Sequence, residues 1–313
     1  MHDDVITWLL GGDPSVRWQV MRDLQDAPAD AIAAERARVA TDGWGAGLLA
    51  RQTPDGFWGG QVYGPNRERD SVMWTLQILR NLGAPPDAPP VRTAVDRVVA
   101  GVTWHEFDDL PYFSGEVEEC VNGGVLANAA YFGVLGAGSD RIIARLLDEV
   151  LPDGGWNCEP ADESQRSSFD STLCVVEGLL AYERATGSAD AAVTAARRGG
   201  EEYLLERSLF RRKSTGELVL PRYTNFTFPT YWFYDVLRAL DHFRDAGGQP
   251  DGRLRPALDL VLDQRHDDGR WRAGRPWPGR NRYEIDAAEG EPSPWNTLRA
   301  MRVLRWADPA ALD

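Results

Sequence analysis

Gln52-Thr53-Pro54-Asp55-Gly56-Phe57-Trp58 recurs as Glu149-Val150-Leu151-Pro152-Asp153-Gly154-Gly155-Trp156 and again as Gln264-Arg265-His266-Asp267-Asp268-Gly269-Arg270-Trp271. Each copy is Gln or Glu followed by Asp-Gly-x-Trp. The physical sense is a helix ending in a polar residue, a tight Asp-Gly turn that favours positive φ, and a tryptophan folded back on the neighbouring unit. Such a motif staples adjacent repeats. The three tryptophans lie roughly one hundred residues apart, with weaker units between them around Trp104 and around Arg211 to Pro221, so about six units of fifty residues fill the chain.

Amphipathic or wholly apolar helices follow the staples. The pattern expects them over Asp70–Leu82, Ser168–Tyr182, Pro229–Phe243 and Ser293–Trp306, with capping residues at Asp70-Ser71, Ser167-Ser168 and Ser293-Pro294. A second set over Pro90–Gly101, Asp140–Val150 and Arg253–Gln264 carries a charged face and reads as an outer layer. Strand-like alternation is confined to Glu217–Leu220. Paired helices stacked in register close into a double-layered barrel, so the expectation is an all-α, closed (α/α) toroid of about six helix-pair repeats. A closed ring is one domain, spanning 1–313, with the Pro-rich segments Ala84–Val91 and Ala273–Pro294 as inter-helix loops.

Composition narrows the partners. With 43% hydrophobic and 26% charged residues the 313-residue chain is of ordinary globular type. Its formal charge of −14, spread along the chain, disfavours nucleic acid or an anionic membrane surface. Lys213 is the only lysine among 34 basic residues, which speaks of coding bias and not of mechanism. No basic-then-apolar leader opens the sequence and no stretch reaches the roughly 18 apolar residues of a membrane helix. Cys120, Cys158 and Cys174 are an odd number, so a reducing, cytoplasmic setting without disulfides is expected.

The residues resemble the squalene-hopene and oxidosqualene cyclases, with protein prenyltransferase β-subunits as more distant relatives. The repeats carry this resemblance over nearly the whole chain. A sharper likeness follows the middle staple, where Trp156 precedes Ser168-Phe169-Asp170-Ser171-Thr172 and Glu177-Gly178-Leu179. In triterpene cyclases a D-x-D-D-T or V-x-D-C-T helix start holds the proton donor, and Asp170 occupies that place. Ser168 and Ser171 stand where the family has other residues, and the chain is far shorter than a two-domain cyclase.

Aligning the inner helices on Thr75-Leu76, Thr172-Leu173, Val236-Leu237 and Thr297-Leu298 sets Asp170 against Met73, Tyr234 and Trp295. A carboxyl at a position that is otherwise large and apolar, facing an apolar cavity, would be kept protonated by desolvation and act as a general acid. The competing reading is that Asp170 caps its own helix. Ser168, Ser171 and Cys174 are near enough along the helix to orient the acid. Trp74, Tyr231, Trp232, Phe233, Tyr234 and Trp295 are either core or the aromatic wall of a cavity that would stabilise a cation.

Other constellations are weaker. Glu106-Phe107-Asp108-Asp109 lacks a threonine and a helix start, and reads as a solvated loop. Glu116, Glu118, Glu119 and Cys120 open a small-residue inner helix whose acids could bind a cationic group at the mouth, against the plainer reading that acids are common at helix starts. The run Arg207 to Lys213 reads as a solvated surface. His2, His105, His242 and His266 stand in no ligand-like spacing to the cysteines, so no metal and no cofactor is expected and the thiols read as buried and inert.

The expectations are therefore ordered. First stands acid-initiated, class II type cyclisation of an isoprenoid or related polyene, with Asp170 as donor and Ser168, Ser171, Cys174, Met73, Trp74, Trp232, Phe233, Tyr234 and Trp295 around the substrate. The alternative is a non-catalytic toroid binding a hydrophobic small molecule or a protein. The third is a zinc-dependent, prenyltransferase-like enzyme.

Overall fold

The three staple tryptophans form the same bond. Trp58, Trp156 and Trp271 are all buried, and each indole Nε1 donates to the carbonyl ten residues earlier: Leu48 at 2.8 Å, Leu146 at 2.8 Å and Val261 at 2.7 Å. Each acceptor lies near the end of an outer helix, so the indole ties that helix's last free carbonyls to the turn that follows. In the second and third copies the next inner helix closes the clasp. Thr172 Oγ1 accepts from Trp156 N, and Thr297 Oγ1 from Trp271 N, both at 3.1 Å.

The computed structural model describes residues 2–64, 70–116, 118–159, 165–187, 190–277, 279, 283–308 and 310. They are mostly helical: α1 (His2–Leu10), α2 (Pro14–Asp23), α3 (Ala29–Ala37), α4 (Gly43–Leu49), α5 (Val72–Leu82), α6 (Pro89–Gly101), α7 (Glu119–Phe132), α8 (Ala137–Asp148), α9 (Phe169–Thr186), α10 (Ala191–Leu205), α11 (Val236–Ala246), α12 (Arg255–Asp263) and α13 (Pro294–Ala307). A two-residue hairpin, Thr103–Trp104 with Leu110–Pro111, supplies the only named strands among the described residues. Trp104 belongs to it, its Nε1 bonding Tyr112 O at 2.9 Å, so this weaker unit is a hairpin and not a further staple. Near Glu217–Leu220 there is a single bridge, between Arg211 and Leu218.

Burial sorts the helices into two layers. Nine of the eleven residues of α5 are buried, against four of the thirteen in α6, whose remaining faces meet water. Inner neighbours follow in order: α5 packs on α7, α7 along α9, α9 beside α11, α11 on α13 and α13 on α2. From α2, Trp18 Nε1 donates to Leu82 O at the end of α5 at 2.9 Å. The tight α7–α9 seam requires glycine, since a Cβ on Gly123 would lie 2.4 Å from Cys174 O and one on Gly178 2.4 Å from Gly123 O. No described helix is long and apolar enough to cross a membrane.

Side-chain caps fix the starts of four inner helices. Ser71, Ser168, Asp235 and Ser293 accept from Trp74 N, Ser171 N, Arg238 N and Asn296 N, each three residues on. Three expected helices agree with these ends within a few residues. The fourth does not, because residues 229–235 are an irregular segment with a cis Phe228–Pro229 bond and a positive φ of 52° at Tyr231, and the helix begins only after its Asp235 cap. Aromatic and β-branched residues in that segment are poor helix starters, and they fill space between inner helices instead. The loop expected over 273–294 includes residues 278 and 280–282, which lie outside the described residues.

Candidate functional site

Ser168, and not Asp170, caps α9, so the Asp170 carboxylate is free to leave its own helix. It is buried, and it collects donors from a distant segment. Arg222 Nη1 and Nη2 donate to its two oxygens at 2.9 and 2.7 Å, Tyr223 Oη to Oδ2 at 3.2 Å, and Tyr234 N to Oδ1 at 2.8 Å. Every partner donates, which is the pattern of an ionised, bidentately paired carboxylate. The lone acid facing an apolar cavity is thus replaced by an ion pair inside an aromatic shell, where Phe169, Tyr203, Tyr223 and Tyr234 pack edge to face.

The cap positions also correct the alignment of α11. Counting from Asp235 as from Ser168 sets Asp170 against Leu237 and Thr172 against Ala239, three residues from the sequence alignment. Tyr234 is Asp170's hydrogen-bond partner and not its structural equivalent. Met73 and Trp295 keep their places. The alignment failed because only the tertiary cap, and no periodicity, marks where α11 begins.

The other expected site residues separate. Met73 and Trp74 are fully packed in the core, with Trp74 Nε1 on Gly64 O at 3.2 Å. Trp232 and Phe233 stack at 4.3 Å between centroids, and Phe233 on Trp277 at 4.1 Å, half-buried beside Arg222. Cys174 is buried, its Sγ 3.5 Å from Trp232 O and 3.5 Å from Arg238 Nη2, and burial pushes its thiol up to about 11. Ser171 Oγ lies 3.0 Å from Ser168 Oγ and 3.2 Å from Cys158 Sγ. Of the whole set, Trp295 alone lines the central cavity.

That cavity, about 370 Å³, opens among the later turns of α2, α5, α9, α11 and α13. Its wall is charged, unlike the apolar wall expected: eight arginines stand against three acids, Glu177, Asp241 and Asp245, and from behind the wall Asp23 pairs with Arg22, Arg244 and Arg302 and Asp235 with Arg299. Arg238 grips Glu177 at 2.9 and 2.7 Å, Arg302 pairs with Asp241 at 2.8 Å, and Arg36 bonds Gly83 O at 2.9 Å and Tyr131 Oη at 3.1 Å. Arg80 on α5 has no hydrogen bond or ion pair among the described residues, and burial pulls its pKa below the ordinary value. Beside it Gln77 spends its amide N–H on Tyr231 O at 2.8 Å and leaves Oε1 buried without a donor among the described residues. Trp18, Phe228, Tyr131 and Trp295 supply apolar surface.

Sequence reasoning missed these groups although a signal exists. On the inner helices α5, α11 and α13, Gln77 and Arg80, Arg238 and Asp241, and Arg299 and Arg302 recur three residues apart, which puts each pair on one helix face.

The cysteines are also closer than their spacing implied. Cys120, Cys158 and Glu118 bring one sulfur or oxygen each within 4.8 Å of one another. No histidine joins them among the described residues; the third donor is the Glu118 carboxylate.

Neither the comparison with family models nor that with curated proteins finds a match. Among solved structures, the chain is similar to type II terpene cyclase MstE from Scytonema, in a variant bound to geranylgeranyl dihydroxybenzoate, at 18% identity over 95% of this chain and 87% of that one, with a TM-score of 0.45. It is similar to the unliganded form of MstE, at 18% identity over 95% and 89% and a TM-score of 0.43. It is also similar to a protein from Actinoplanes, at 17% identity over 93% and 89% and a TM-score of 0.45.

Proposed function

We propose that this chain is a small-molecule-binding protein, one closed (α/α) toroid of about six helix pairs over 1–313, whose central cavity takes a small anion with an apolar body. The observation that carries the reading is the cavity wall: eight arginines against three acids, with Arg80 left unpartnered among the described residues. The neighbour order of the inner helices supports the closed ring. A volume near 370 Å³ falls within the range of ligand pockets, roughly 300–1,000 Å³. A carboxylate or phosphate at Arg80 adds direct hydrogen bonds to a half-buried guanidinium that has only the longer-range attraction of Glu177. A hydroxyl or N–H on the same ligand satisfies Gln77 Oε1, and the aromatic rings receive the apolar part.

Calorimetric titration with farnesyl phosphate, an aromatic carboxylate such as benzoate, and farnesol tests this. One hydrogen bond to a charged group contributes about 1.5–3 kcal/mol, so the phosphate binds at least about 10-fold more tightly than the alcohol. Arg80→Gln removes that preference and leaves the alcohol unchanged. Equal binding of phosphate and alcohol, or no binding of any of the three, refutes the reading.

A second reading keeps acid-initiated cyclisation at Asp170, favoured by the aromatic shell around a buried carboxyl at an inner-helix start. It requires Arg222, whose side chain is 32% exposed, to swing away and a proton to enter. Product analysis with linear polyenes tests it: turnover by wild type that is lost in Asp170→Asn sustains it, and conversion at the wild-type rate in the variant ends it.

A further inference from the structure

Glu118 occupies the N-cap position of α7 but its side chain makes no capping bond. It turns instead to Cys120 in the first turn, whose Sγ lies 3.7 Å from Glu118 Oε2. Cys158, two residues past the staple tryptophan, reaches the same point from another segment. Its Sγ accepts the Cys120 N–H at 3.3 Å and lies 3.2 Å from Ser171 Oγ at the start of α9. The two sulfurs and a carboxylate oxygen all lie within 4.8 Å of one another. Cys120 is buried, while Cys158 and Glu118 are partly exposed.

We propose that Glu118, Cys120 and Cys158 form a metal site for one zinc(II) ion, with a fourth position open to water or to an incoming ligand. Tetrahedral zinc takes thiolate and carboxylate ligands at about 2.0–2.3 Å, which sets their mutual distances near those of this cluster. Two thiolates select a soft or borderline ion over magnesium or calcium. The surroundings suit a thiolate centre: Cys158 Sγ already holds a backbone N–H and faces the Ser171 hydroxyl, the outer-shell donors that orient such ligands. The first turns of α7 and α9 add partial positive charge beside three formally anionic ligands. Binding is balanced by release of the two thiol protons to solvent, with no oxidant or reductant. This inference is independent of the anion-binding reading, because the central cavity uses none of these residues.

The test is cobalt(II) titration of the whole chain after reduction and chelator treatment. The expected result is a sulfur-to-cobalt charge-transfer band with tetrahedral d–d bands, saturating at one equivalent and abolished by zinc. Cys120→Ser and Cys158→Ser lose the band, Glu118→Gln weakens binding about 10-fold or more, and Cys174→Ser, which alters the buried thiol outside the cluster, changes nothing. Should Cys120→Ser fail to fold, the partly exposed Cys158 still gives a variant to read. Zinc also protects two of the three thiols of the wild type from alkylation. No charge-transfer band in reduced wild type, a band that survives in Cys158→Ser, or three thiols alkylated equally with and without zinc overturns the proposal.

Discussion

Replacing Trp156 by alanine probes the staple directly. The indole is fully buried, its Nε1 bonds Leu146 O at 2.8 Å, and Gly200 leaves room for the ring, since a Cβ there would stand 2.8 Å from the indole. Removing it opens a cavity and strands a helix-end carbonyl. Loss of a buried tryptophan costs about 3–5 kcal/mol. For 313 residues the unfolding entropy is roughly 0.66 kcal/mol/K, so the melting temperature falls by about 5–8 °C. Trp156→Phe keeps most of the volume and isolates the hydrogen bond, at about 1–3 kcal/mol. The assay is scanning calorimetry beside Trp277→Ala, a half-buried tryptophan outside the staples, expected to shift by less than about 2 °C. A Trp156→Ala melting temperature within about 1 °C of wild type refutes the clasp.

Asp170→Ala strands Tyr234 N and Arg222 and costs about 3 kcal/mol, the low end for a broken buried pair because Arg222 turns to water; urea denaturation measures it, and no change in midpoint counts against the ion pair. Burial and the neighbouring Glu119 push Glu149 up to about 7, so the folded state holds a proton that the unfolded state has released. Stability therefore falls as pH rises from the unfolded value through about 7. Glu149→Gln, which restores the glutamine of the other two staples, gains about 1 kcal/mol at pH 8 after allowance for exposure and nothing at pH 4, and an equal effect at both pH values rejects the assignment. Asp286, raised to about 7 mainly by burial, behaves with the same sign: Asp286→Asn flattens the melting-temperature profile between pH 4 and 7. Arg80→Gln lowers affinity for an anionic probe about 10-fold or more in titration calorimetry, and undiminished binding places the anion elsewhere.

The staple tryptophans, the Asp-Gly turns, the serine caps and the two helix sets were legible in the sequence, because each depends on residues within about ten positions of one another. A cap reaches three residues on, and the indole reaches ten back. What the sequence did not determine were the partners that arrive from far along the chain. Asp170 meets Arg222 across 52 residues and Tyr234 across 64, and these donors turn the expected acid into a paired carboxylate. Glu118 and Cys120 meet Cys158 across 38 residues, beside the start of α9, where α7 and α9 pack closely at Gly123 and Gly178. The arginines of the cavity stand in the sequence among other charged residues of α2, α3, α11 and α13, and their convergence on one space depends on the rotation of each helix about its axis. Tertiary packing sets that rotation, and with it the change from an apolar to an anion-seeking interior.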